Sequence, residues 1–177
     1  MKKIALSALL LWPTISYCQE DPINVFKKID ERMSYMQDVA IYKAIHGLPI
    51  EDLKREEIVL KKSSLASENY GLNVDSMKSF TVALMSSAKA IQYRYRADML
   101  SKSVDTHAAR DLKSEIRPAL IKLGSELNMS ISEYLGSGNV FSDSQYSNFS
   151  SSITSSYLKE ADKKLLFSAL KKIDIKN

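Results

Sequence analysis

The chain of 177 residues has a single cysteine, Cys18, so no intramolecular disulfide can form and stability must come from a packed core. Histidine is nearly as scarce: His46 and His107 are isolated, which leaves no metal-ligand spacing and no histidine-based nucleophile system. A glycine-rich phosphate loop is also missing. With 25 basic and 21 acidic residues interspersed, neither sign of charge forms a long run, and no nucleic-acid partner is implied. No apolar run reaches the roughly 20 residues that span a bilayer. The longest, Ile4 to Leu11, follows Met1-Lys2-Lys3 and leads to Ser16-Tyr17-Cys18, the layout of a secretory signal with cleavage expected between Cys18 and Gln19. A lipid anchor on Cys18 is the alternative, but Ile15-Ser16-Tyr17 is a poor approach to such a site. Loss of Lys2 and Lys3 takes the formal charge from +4 to near +2. The mature protein is expected in the periplasm or outside the cell, free of the membrane.

Five glycines and four prolines are too few to punctuate a series of short strands, and the stretches between them show helical spacing. The expected fold is all-α, one domain spanning 19–177, built as a bundle of about five or six helices. Helix one should begin at Asp21-Pro22 and run to about Ala44, with Phe26, Ile29, Met33, Met36 and Ala40 as its apolar stripe. A second helix carries Leu53, Ile58, Leu60 and Leu65 and stops near Gly71. A third starts between Asn73 and Asp75 and passes through Phe80, Leu84, Ala88, Ile91 and Tyr95 to about Leu100. The fourth covers roughly Asp105 to Met129, and Pro118 within it predicts a kink or a fresh start. From Gly136 to Ser156 a loop with one short helix is expected. A last helix lies between Tyr157 and Ile173, with Leu158, Ala161, Leu165, Leu166 and Leu170 at helical spacing. Residues 130–177 are expected to form a helical cover over active-site helices at about 21–129.

Arg32 and Lys43 are eleven residues apart, three helical turns plus about 20°, so both flank the inward stripe at Met36, Val39 and Ala40. Snorkelling at the stripe's edge would give the same spacing. Asp52, Arg55 and Glu56 form one patch at the start of the second helix, which alone reads equally well as a solvated ion pair. On the third helix Ala88 and Gln92 are i and i+4 on a small-residue face that could admit a ligand or bury a satisfied amide.

Taken in order, Arg32, Lys43, Pro49-Ile50-Glu51-Asp52, Arg55-Glu56 and Ala88-Lys89-Ala90-Ile91-Gln92-Tyr93-Arg94 with Ala97-Asp98 resemble the secreted, gamma-type subclass of the all-helical chorismate mutases. The resemblance covers about Phe26 to Leu123. It implies a homodimeric enzyme that rearranges chorismate to prephenate in aromatic amino acid biosynthesis, with no cofactor and no metal. Residue by residue, it implies that Arg32 grips a substrate carboxylate, that Lys43 and Gln92 donate to the ether oxygen, and that Arg55 and Glu56, supported by Asp52, serve the hydroxyl-bearing end. A further arginine should come from the later helices: Arg117 is the better match and Arg110 its competitor. Ala88 stands where some relatives have Ser or Thr, so a carboxylate contact there is absent or falls to the backbone. Met99 stands where Trp is frequent. The reading from another class is an exported helical interaction module that keeps this framework without catalysis.

Overall fold

The computed structural model describes residues 21–101 and 109–176. The expected signal at 1–18 lies outside them, as do His107 and the expected fourth-helix start at Asp105. Seven α-helices occur among the described residues: α1 (Ile23–Ser34), α2 (Met36–Ile45), α3 (Leu53–Asn69), α4 (Val74–Asp98), α5 (Arg117–Gly136), α6 (Tyr146–Ser152) and α7 (Glu160–Leu170). A π-helical turn, Leu112–Ile116, precedes α5, and a 3-10 turn, Asp143–Gln145, precedes α6. The all-α expectation describes this architecture.

The first helix begins as expected, with the Asp21 carboxylate accepting from the Ile23 N–H at 3.0 Å. It is interrupted at Tyr35, however, where a single run to Ala44 was expected. The Ser34 hydroxyl donates to the Glu31 carbonyl at 2.7 Å, a local bond that competes with the helical ladder and marks the join between α1 and α2. The apolar stripe survives the break, since Phe26, Ile29, Met33, Met36 and Ala40 are all buried.

The second helix differs more. Its expected apolar stripe faces solvent: Leu53 is 73% and Leu65 58% exposed. The inward face of α3 instead carries Arg55, Glu56, Val59, Ser63 and Ala66, because this face bounds a cavity instead of a dry core. Polar ties replace apolar packing there, with Ser63 and Thr81 hydroxyls 2.7 Å apart and Lys89 paired with Glu56 at 3.0 Å. At the C-terminal end, Gly71 takes φ +67°, which lets the chain reverse before Asn73 caps α4 by accepting from the Asp75 and Ser76 N–H groups. That tight turn lays α3 antiparallel along α4.

Pro118 does mark a fresh start: it sits near the beginning of α5, where a missing N–H costs nothing. The helix then continues to Gly136, past the expected Met129. The C-terminal third packs on the far side of α1 and α4, through Phe149 and Phe167 edge-on to Phe26 at ring-centroid distances of 5.4 and 6.3 Å. Arg94 fixes α7 to α4 by bonding Asp162 and the Tyr157 carbonyl. In this last helix Leu165 and Ala161 face solvent and Phe167 takes their place inside, one position from the expected stripe. Among the described residues none beyond Asn128 lines the cavity.

Candidate active site

The cavity has a volume of about 340 Å³ and lies between α1, α2, α3, α4 and α5. Arg32, Lys43, Asp52, Arg55, Glu56, Ala88, Gln92 and Arg117 all line it. Arg110 does not: it bonds Asp38 and stacks over the Tyr35 ring at 4.2 Å, away from the opening. Of the two arginines open on sequence, Arg117 is the one on the cavity.

Arg32 reaches the cavity from the last turn of α1, its side chain part-buried and its Nε shut off from solvent. Burial pushes its pKa down, and nothing near it compensates. Among the described residues its one hydrogen bond is a long one from Nη1 to the Leu120 carbonyl at 3.4 Å, and the buried Nε has no partner. An unpaired buried cation is expensive, and a guanidinium stays charged. The arrangement therefore leaves most of a donor fork unspent in front of the cavity.

Lys43, in the last turn of α2, extends Nζ to the Ile50 carbonyl at 2.5 Å. Desolvation lowers its pKa; Asp52 and Glu56 partly raise it again, while Arg117 and Lys89 lower it further. The ammonium is thus partly desolvated among two carboxylates and two cations, and an additional anion would raise its pKa again. Asp52 is spent locally as the cap of α3, accepting from the Arg55 N–H at 3.0 Å. Glu56 accepts from Lys89 at 3.0 Å, which ties the start of α3 to α4. The Arg55 and Arg117 guanidinium groups make no hydrogen bond or ion pair among the described residues.

Gln92 is 5% exposed on α4. Its Nε2 donates to the Ala88 carbonyl at 3.1 Å and lies 3.6 Å from the Met36 sulfur, while its buried Oε1 has no partner. This half-satisfied amide argues against a settled core glutamine, because buried polar atoms are almost always paired. Ala88 presents only a methyl group, which widens the cavity beside it.

Sequence reasoning passed over Lys89 as a site residue. It lines the cavity three residues before Gln92, a helical spacing that was sufficient to place both on one face. The carbonyls of Ile50 and Leu120 could not have been foreseen, since backbone acceptors leave no trace in residue identity. Among the described residues no group of three His, Cys, Asp or Glu side chains is placed to hold a metal ion. Chemically, the site offers at least four cationic donors and a neutral amide around an apolar-walled hollow, which suits a small ligand carrying two negative charges.

Comparisons with known proteins agree with this picture. The family model for chorismate mutase type II matches residues 24–93. A monofunctional chorismate mutase of Enterobacter agglomerans is 42% identical over 82% of this chain and 79% of its own. The secreted chorismate mutase of Yersinia pestis is 37% identical over 84% of this chain and 79% of its own. The crystal structure of that secreted Yersinia pestis mutase superposes with a TM-score of 0.79, at 35% identity, covering 86% of this chain and 98% of the other. A chorismate mutase structure from Burkholderia thailandensis, at 22% identity and a TM-score of 0.69, shows the same fold over 85% of this chain and 98% of that one. With that identity sustained across four fifths of the chain, and with a cation-lined cavity between its helices, the chain belongs to the chorismate mutase family.

Proposed function

We propose that this family member rearranges chorismate to prephenate by clamping a dianion and stabilising the charge that develops on its ether oxygen. The observation that carries the reading is the convergence of Arg32, Lys43, Arg55 and Arg117 on one cavity with the half-satisfied amide of Gln92. In this rearrangement the ether C–O bond breaks as a C–C bond forms within the same molecule, and no proton has to move. The protein's part is to fix the reactive conformation and favour the polar transition state.

Arg32 and Arg117 are assigned the two carboxylates, because a planar fork binds each bidentately and loses no charge on burial. Lys43 and Gln92 are assigned the ether oxygen, as an ammonium and an amide N–H that strengthen their bonds when negative charge grows there. Arg55 and Glu56, with Asp52 fixing the start of their helix, are assigned the hydroxyl-bearing end. Ala88 leaves the neighbouring carboxylate contact to backbone or to nothing. The direct test is the absorbance loss of chorismate with purified protein lacking residues 1–18. Saturable conversion to prephenate is expected; a folded protein with no turnover would support the non-catalytic interaction module.

The pH dependence follows from the same assignments. Gln92 needs no proton to donate, so kcat/KM should be level from mildly acidic to neutral pH, and an apparent pKa near 5 or 6 would contradict its role. On the alkaline side Lys43 is active only while charged, and its pKa lies below the ordinary lysine value. Activity should therefore fall at a lower pH than ordinary lysine titration predicts. The fall in kcat should come later than the fall in kcat/KM, because bound dianion raises the lysine's pKa again. For folding the sign is opposite: the unfolded chain keeps the Lys43 proton longer, so this group's contribution to stability improves as pH rises through that window. Gln92→Glu should replace the level profile by one that declines as the carboxyl ionises, since only the protonated acid donates.

Export is proposed on the secretory layout of the first 18 residues and on the likeness to the secreted chorismate mutase of Yersinia pestis. Among the described residues no helix is long and apolar enough to cross a membrane. Homodimerisation, with each pocket made within one chain, rests on the subclass resemblance and is read directly by light scattering of the mature protein.

A further inference from the structure

Lys89 lines the cavity but is given no part in the rearrangement. It stands on α4, three residues before Gln92, and its Nζ donates to Glu56 Oε2 at 3.0 Å across the gap to α3. The other carboxylate oxygen, Oε1, accepts a long bond from the Asp52 N–H at 3.4 Å. Glu56 is thus gripped from two sides, by a cation on α4 and by the backbone that opens its own helix.

This grip is of little use to folding. The two side chains keep 26% and 24% of their surface in water, which screens the attraction between them. What the bond fixes is direction. The last torsion of a glutamate side chain is broad, so an unheld carboxylate turns freely, and ordering it costs entropy that a bound ligand would otherwise have to offset. An ionised carboxylate has about four acceptor positions. Lys89 and the Asp52 N–H take two, and Glu56 faces the cavity with the others. Pairing also neutralises Lys89 locally, which leaves the carboxylates of a dianion to the forks of Arg32 and Arg117.

We infer that Lys89 is a positioning residue that sets specificity for the substrate's hydroxyl group: its ammonium aims the Glu56 carboxylate, and the hydroxyl donates to an oxygen already held in place. This rests on the mutase reading and on Glu56 serving the hydroxyl-bearing end. The hydroxyl takes no part in bond making or breaking, so its bond to Glu56 is made alike in the ground state and the transition state. Loss of Lys89 therefore acts on KM and spares kcat.

The test is steady-state kinetics of the mature protein with chorismate and with an analogue carrying hydrogen in place of the hydroxyl. Lys89→Met should raise KM for chorismate by about tenfold, the worth of a charge-assisted hydrogen bond no longer aligned, with kcat within about threefold of wild type. For the analogue the same substitution should change kcat/KM by less than about twofold, since Glu56 then has nothing to accept. Lys89→Arg keeps a cation within reach of Glu56 and should restore KM to within about threefold. Glu56→Gln should raise KM like Lys89→Met, and the double variant should lose no more than about twofold beyond either one. Circular dichroism should be unchanged throughout; should Lys89→Met fold poorly, Lys89→Ala, with the best helix former, takes its place. Unchanged KM in the Lys89 variants, an equal loss on the analogue, or losses that multiply with Glu56→Gln would overturn the inference while wild-type turnover leaves the mutase reading standing. A folded wild-type protein without turnover would sink both.

Discussion

Lys43→Ala is expected to lower kcat by at least about a hundredfold while leaving the far-ultraviolet circular dichroism unchanged. The ammonium sits at the end of α2, half-buried and bonded to the Ile50 carbonyl; desolvation lowers its pKa, with Asp52 and Glu56 opposing and Arg117 and Lys89 adding to the shift. Such a charge contributes little to the fold and is stabilised further when negative charge appears before it. Removing it should therefore act on the transition state more than on binding, because the ether oxygen becomes negative only as its bond stretches. KM should change several-fold at most. Wild-type turnover in Lys43→Ala would remove the lysine from the mechanism.

Arg32 should show the opposite division between function and stability. Arg32→Met is expected to lose at least about a thousandfold in kcat/KM, as a desolvated charge-to-carboxylate fork is lost. The folded protein, by contrast, should be as stable as wild type or gain on the order of 1 kcal/mol, because replacing an uncompensated buried charge by an apolar side chain of similar length removes a desolvation cost. For a domain of this size the thermal midpoint would then rise by about 2 to 4 °C. The basis is the desolvation of this part-buried guanidinium, its long 3.4 Å bond to the Leu120 carbonyl and its orphaned Nε among the described residues. Arg32→Lys keeps the charge but not the fork, and should also be damaging. A strongly destabilised Arg32→Met would show instead that the arginine holds α1 to α5; unchanged efficiency in Arg32→Lys would argue against bidentate binding.

The helical class was legible because glycine and proline are so rare and the apolar residues of α1 and α4 recur at helical spacing. Periodicity misjudged α3 for a physical reason. A helix that walls a cavity turns charged and small residues inward, so its buried face is the less apolar one and Leu53 and Leu65 are left outside. The break at Tyr35 depends on a hydroxyl-to-carbonyl bond of Ser34, and serine in a helix does not announce which way its hydroxyl points. Every cavity residue singled out in the sequence, from Arg32 to Arg117, stands on one hollow because each recurs at an inward turn of one of the five helices α1 to α5. Lys89 was within reach of that logic.

All of this turns on whether the cluster of positive charge is arranged for a dianion. Calorimetric titration with a non-reactive dicarboxylate analogue of the ring ether, in buffers of different ionisation enthalpy just below the ordinary lysine range, reads it directly. Tight binding with net proton uptake, lost in Lys43→Ala, is the predicted result, because the dianion reverses the downward shift on Lys43. Binding without proton uptake, or uptake that persists in Lys43→Ala, would contradict it.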